Sequence, residues 1–293
     1  MFVRVGCDVV GLQCEDAIDV ETIADGKKIF TGFGITDRNI VWKMMSKREK
    51  DVITSAYDKY SDRCVVMWVG RKDGNAVYFS GVQAIVKHEG VRENVIDAYA
   101  EVLFDEQEKL NVGKDFPKNS YFFSSICWDV MKGENVDIRF KYLTTNLHAG
   151  RGAHYIHFPV CHLGHWSLLV YDTEDGSWKH YNSMRNRSGT GGVHYAEAIK
   201  LRQSMVAHGL EQMVGTQEFD MTVESVVECP QQRPDSMGCA IIVCAIMRQY
   251  LHHMEVGRSL KGGNYSVLRS NIVRVFVSDP VRGVASNMGR LVG

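Results

Sequence analysis

The sequence predicts an α+β fold, a mid-chain sheet flanked by helices, and three observations carry that expectation. Apolar runs of strand length follow one another between residues 154 and 181, with a turn signal between two of them. An amphipathic pattern runs from Val91 to Leu110. From Cys239 to His252 the chain is apolar nearly all round, the pattern of a helix buried at the centre of a fold.

Taken in chain order, residues 37–60 are charged and expected to be helical. Val65 to Val69 reads as a buried strand, ended by Gly70 and the charged turn Arg71 to Gly74. Residues 1–75 are expected to form an N-terminal mixed α/β extension, and 76–293 the main unit. In the amphipathic stretch, Val95, Ile96, Tyr99, Val102, Leu103 and Leu110 share one stripe. Tyr121 to Phe123 opens a further apolar segment that includes Cys127 and Trp128.

Three strands follow: His154 to Val160, Trp166 to Tyr171, and Ser177 to Tyr181. Thr173-Glu174-Asp175-Gly176 supplies a hairpin turn between the last two. Residues 184–192 form a polar loop, Tyr195 to Gly209 a helix, and Met221 to Val227 a strand. A last helix over 265–277 is closed by Pro280.

Composition narrows the function classes. The chain has 293 residues, 45% apolar, enough for a large core. A formal net charge of -1 gives no global pull toward nucleic acid or an anionic membrane. No run approaches the ~18 apolar residues of a membrane span, and the N-terminus has no basic leader with a continuous apolar core. The expectation is a soluble intracellular protein, nuclear or cytoplasmic.

Eight cysteines, at 7, 14, 64, 127, 161, 229, 239 and 244, show no paired spacing and read as reduced. Cys161, His162 and His165 with His154 and His157 suggest a metal site at first sight. On a strand, however, His154 and His157 point to opposite faces, so no metal is expected. Gly189, Gly191 and Gly192 lack the Lys-Ser/Thr of a phosphate loop, and there is no Gly-x-Ser-x-Gly elbow. No cofactor is expected.

Three short segments carry chemistry: Gly164-His165-Trp166-Ser167, Tyr181-Asn182-Ser183, and Pro230 to Cys239. Cys239 opens the apolar helix, where unpaired N–H groups and the helix dipole favour a thiolate and suit an oxyanion. His165 lies where a loop enters a strand. Asn182 follows seventeen residues later, and the hairpin folds its strand back beside that of His165. An amide there holds an imidazole in one tautomer. Gln232, seven residues before Cys239, offers an amide N–H to the same oxyanion. Each has a plainer reading: Cys239 as a core cysteine, His165 as a structural histidine, Gln232 as a solvated loop residue.

In combination these residues resemble the ubiquitin-like-protein-specific cysteine proteases, which include the SUMO proteases and the adenovirus protease. The shared order is His-Trp, a polar residue seventeen on, Pro-Gln-Gln, and Asp235-Ser236-x-x-Cys239 opening an apolar helix. Val95 to Tyr99 and Tyr121 to Phe123 resemble the family's first helix and the segment after it, so the resemblance covers roughly residues 80–280. Variants encoded by plant genomes and transposons are the nearest in pattern. The resemblance implies a papain-like fold, with a central mixed sheet packed by helices and the nucleophile at the N-terminus of a buried helix.

It also implies roles. His165 would be general base, Asn182 the orienting residue, Gln232 the oxyanion donor and Cys239 the nucleophile; Trp166 would roof the channel for a Gly-Gly tail. The implied reaction is cleavage after the terminal glycine of a ubiquitin-like modifier, SUMO or similar, or its conjugates. The sequence departs from the family at three points: Asn182 stands for the usual aspartate, Ala240 for glycine, and Gly238 for aspartate. Many SUMO proteases place the glutamine six residues before the cysteine, where this chain has Arg233, so Gln232 is taken as the donor. Two alternatives keep the same residues: an acetyltransferase fed by acetyl-CoA, and a non-catalytic module that grips a modifier.

Overall fold

A five-stranded mixed sheet positions everything that follows. The computed structural model describes residues 35, 39–60, 65–71, 75–113, 119–185, 192–210, 222–232, 236–254 and 265–284. In chain order their elements are α1 (Ile40–Met44), α2 (Lys47–Tyr60), β1 (Val66–Val69), β2 (Ala76–Tyr78), α3 (Phe79–Lys87) and α4 (Glu93–Leu110). Next come β3 (Ser120–Phe122), α5 (Cys127–Lys132), α6 (Val136–Ala149), β4 (Tyr155–His162), β5 (His165–Asp172) and β6 (Trp178–Tyr181). The last are α7 (Val193–Ala207), β7 (Val223–Ser225), α8 (Cys239–Leu251) and α9 (Tyr265–Val277).

The sheet runs in the order β3-β4-β5-β6-β7. β3 is parallel to β4, β4 to β6 form an antiparallel meander, and β7 is parallel to β6. β5 lies at the centre and all its residues are buried. Strand alternation divides its side chains between two cores. Trp166, Leu168 and Val170 join the core built on α8, α4, α3 and α9. Leu169 and Tyr171 join the core built on α5, α6 and α7. A helix that is apolar all round belongs in such a place, and α8 lies against β5 with nearly every residue buried.

The N-terminal segment packs into the first of these cores. Val41, Ile53, Met67 and Trp68 are buried with Val273 and Phe276 of α9. Trp68 donates to Asp279 Oδ2 at 3.0 Å, with the Arg282 guanidinium 4.7 Å from its ring centroid.

Most expected elements appear within a few residues of the expected bounds, and the last helix coincides with 265–277. Three elements carry no clear signal in the sequence: β2, α3 and α6. α6 buries only Leu143 and Leu147, so its apolar stripe is too thin to show a period. Its start is set by Asn135, whose side chain accepts from Ile138 N at 3.0 Å. The polar loop expected at 184–192 falls largely outside the described residues. The strand expected at 221–227 appears as β7, with its first expected residue outside them. Cys7, Cys14 and Cys64 also lie outside the described residues.

Candidate active site

The β4–β5 connection is a two-residue hairpin, since His162 pairs with His165 across it. Leu163 and Gly164 both take positive φ, 50° and 73°. This is the turn whose twist matches the flanking strands, and it favours glycine at the second position. His165 is therefore the first residue after a tight turn, on a strand paired on both sides.

The register then brings Asn182 to it. Leu168 pairs with Tyr181, so Asn182 follows beside Ser167, on the same face as His165 and diagonal to it. His165 Nε2 and Asn182 Oδ1 lie 2.9 Å apart. The same oxygen accepts from Met184 N at 2.9 Å. A backbone N–H only donates, so it fixes which end of the amide faces it. The atom facing His165 is thus oxygen, and Nε2 carries the ring proton. Nδ1 keeps the lone pair; it is buried and makes no hydrogen bond among the described residues.

Burial holds the His165 ring below the ordinary histidine value, partly offset by the Asn182 bond. The His194 ring, at the start of α7, sits 4.5 Å from that of His165. His194 is itself pushed down to about 4, first by burial and then by repulsion from His165 and His162. Behind them His180, on β6, is buried, its ring nitrogens have no partner among the described residues, and it is pushed down to about 3 by burial. The imidazole of the site thus has neutral company: an amide on one side and uncharged rings on the other.

The sulfur arrives from a loop and a helix. Gln231 ties that loop to the segment after β6. Its Nε2 donates to Asn182 O and Cys229 O, both at 2.9 Å, and its Oε1 accepts from Arg185 N at 3.0 Å. Gln232 N donates to Ser183 O at 2.9 Å. The Gln232 side-chain oxygen accepts from Ser183 Oγ at 3.3 Å, and its amide nitrogen makes no hydrogen bond among the described residues. A Cβ on Gly238 would meet that oxygen at 3.9 Å, so Gln232 lies against the residue before Cys239.

Gly238 is the N-cap of α8 and brings no capping side chain, so the first N–H groups of the helix are not closed off by one. Cys239 is buried, with 8% exposure, and Ala240 packs into the core behind it. Trp166 is buried too, and its indole donates to Val91 O at 3.2 Å, just ahead of α4.

The structure therefore joins His165 to Asn182 and sets Gln232 against the approach to Cys239. It does not close a hydrogen bond between His165 and Cys239. Asp235 and Arg233 of the sequence motif lie outside the described residues. The histidines weighed for a metal disperse: His157 bonds Ser120 Oγ at 3.1 Å, and His154 faces Asp172 and Glu174. Among the described residues no group of three or more His, Cys, Asp or Glu is placed to hold a metal. Reasoning from sequence missed Ser183, His180 and His194; only the three-dimensional pairing brings them to the site.

A family model and several solved structures are similar to this chain. Residues 141–274 match the Ulp1 protease family, C-terminal catalytic domain, a stretch that holds His165, Asn182, Gln232 and Cys239. The match spans somewhat under half of the chain, and the fold it lies in is similar to that of SUMO proteases.

Solved structures agree on the fold. A SUMO protease Ulp1 whose catalytic cysteine is oxidised to a sulfenic acid superposes with a TM-score of 0.60 at 15% identity, over 80% of this chain and 96% of that one. The C-terminal Ulp1 protease domain in complex with Smt3, the yeast ortholog of SUMO, gives 0.58 at 15% identity over 80% and 96%. The Ulp1-like SUMO protease catalytic domain of Chaetomium thermophilum gives 0.59 at 13% over 82% and 92%. No curated protein sequence matches the chain. No described helix is long and apolar enough to cross a membrane.

Proposed function

We propose that the protein is a thiol peptidase or isopeptidase that cleaves after the terminal glycine of a ubiquitin-like modifier, with Cys239 as nucleophile and His165 as base. The observation that carries this reading is the double acceptance at Asn182 Oδ1, from His165 Nε2 and Met184 N. It leaves Nδ1 as the basic atom of a buried ring. Chain pairing fixes that atom without the aspartate usual in such sites.

The chemistry follows from the atoms. Nδ1 takes the thiol proton, and the Cys239 sulfur attacks the glycine carbonyl. The oxyanion receives the Gln232 amide N–H and the main-chain N–H at the start of α8. The ring then gives its proton to the leaving amine, and water attacks the thioester with the ring again as base. Trp166, held to Val91 O, is suited to confine a tail without side chains. The modifier class is supported by similar structures, which are SUMO proteases, one bound to a SUMO ortholog.

The test is a panel of modifiers, each fused through its Gly-Gly end to a reporter. Cleavage at the glycine, lost in Cys239→Ala, is expected. Binding without cleavage would replace the peptidase by a gripping module. Labelling of a target from acetyl-CoA, with no fusion cut, would replace it by an acetyltransferase.

A further inference from the structure

Arg269 is a buried cation beside the candidate sulfur. It lies in the second turn of α9 and is 1% exposed. Its Nη1 donates to Ile85 O near the end of α3 at 2.9 Å. Its Nη2 donates at 2.7 Å to Met237 O, two residues before Cys239. Its Nε is buried with no partner among the described residues. Among the described residues no carboxylate pairs with it.

A buried charge is costly unless an opposite charge or hydrogen bonds offset its desolvation. Here two neutral carbonyls do part of this, and burial still draws the guanidinium down to about 10, which leaves it charged at neutral pH. The group that favours its charge is Cys239 when ionised. Among the described residues His88, at the end of α3, is a further titratable neighbour, held low by burial and then by Arg269 itself. The sulfur is faced from β4 by Cys161, whose thiol burial pushes up, and on the reading above by His165 from β5. Neither supplies a standing positive charge. Asn182 supplies no negative charge to hold an imidazolium either. A site with that deficit on the imidazole side gains from a cation on the sulfur side.

We propose that Arg269 is a positioning residue for the reaction: it pins Met237–Gly238, and so the start of α8, to α3, and sets a fixed positive charge beside Cys239. This rests on Cys239 being the nucleophile. The Met237 tether fixes where the sulfur enters the site, and the charge favours the thiolate over the thiol.

The test is alkylation of Cys239 by iodoacetamide in the full chain. The rate is followed against pH by mass spectrometry of the Cys239 peptide, alongside cleavage of the fusion panel. In Arg269→Gln the pH midpoint of alkylation should rise by about one unit, with the rate near neutral pH about tenfold lower. Arg269→Lys should return the midpoint to within a few tenths of a unit of the unaltered protein. A folded Arg269→Gln, checked by circular dichroism, with unchanged midpoint and kcat/KM would overturn the proposal. Should the glutamine variant not fold, Arg269→Met, which removes the charge and keeps an unbranched stem, takes its place: a midpoint raised by about one unit supports the proposal, and an unchanged midpoint overturns it. Failure of the function reading looks different: no fusion is cut by the unaltered protein, whatever the Arg269 variants do to alkylation.

Discussion

The two halves of the site are held by different means. The His165–Asn182 half is built on paired strands, where main-chain register and a two-residue turn set the geometry. The Gln232–Cys239 half is a loop feeding a helix, kept in place by side-chain tethers from Gln231, Ser183, Tyr265 and Arg269. The first half is specified by backbone pairing and tolerates little. The second depends on a few side chains from distant parts of the sequence, so its geometry is adjustable. The difference teaches where to look for each kind of failure: lost proton transfer from the sheet side, lost alignment of sulfur and oxyanion from the loop side.

The largest effects fall on the groups proposed to react. Cys239→Ala should remove fusion cleavage to background, and His165→Ala should lower kcat/KM by about 10³-fold; a surviving activity in either breaks the pairing of the halves. Gln232→Ala should cost about 10²-fold in kcat with KM little changed, as expected for a donor that acts on the oxyanion.

Asn182 sharpens the comparison from the sheet side. Asn182→Ala loses the tautomer lock and should cost about 10²-fold. Asn182→Asp keeps both hydrogen bonds and adds a carboxylate. It should raise the ring's basicity and move the acid limb of kcat/KM upward by about a unit, read from a pH–rate profile.

A matched pair of scaffold variants compares the halves directly. Gly164→Ala forces a side chain into a positive-φ position and should cost about 1 kcal/mol of stability, seen in a chemical denaturation curve. Gln231→Ala removes three tethers from the loop and should cost about tenfold in kcat/KM with a smaller loss of stability.

The smallest effect at neutral pH, and a growing one in acid, comes from the buried rings His157 and His180, each held down to about 3 by burial. In the unfolded chain they bind protons near pH 6.5, so between about pH 6.5 and pH 3 the unfolded state takes up more protons and is favoured as pH falls. At about pH 5 each ring removes roughly 2 kcal/mol of stability. Replacing His180 by Gln should flatten that loss in a series of denaturation curves against pH.

The sheet half was legible in the sequence because strand runs, a turn signal and the spacing of His165 and Asn182 are local features. What spacing left open was register, which the pairing of Leu168 with Tyr181 supplies. Cys239 was legible from the apolar run it opens. The tethers of the loop half were not: Arg269 is thirty residues beyond the sulfur in an ordinary amphipathic helix, and nothing local marks it as buried. The same holds for His194, which follows a polar loop and reaches His165 only through the packing of α7. α3 and α6 escaped because one is short and the other buries too little to show a period.

The central claim is that the His165 imidazole activates the Cys239 thiol for attack at a terminal glycine. The most direct measurement is reaction of the full chain with a modifier ending in a glycine electrophile, with the adduct mapped by mass spectrometry in the unaltered protein, Cys161→Ala, Cys239→Ala and His165→Ala. The account predicts one adduct, on Cys239, kept in Cys161→Ala, absent in Cys239→Ala and strongly slowed in His165→Ala. An adduct on Cys161, or labelling of Cys239 that is indifferent to His165, would contradict it.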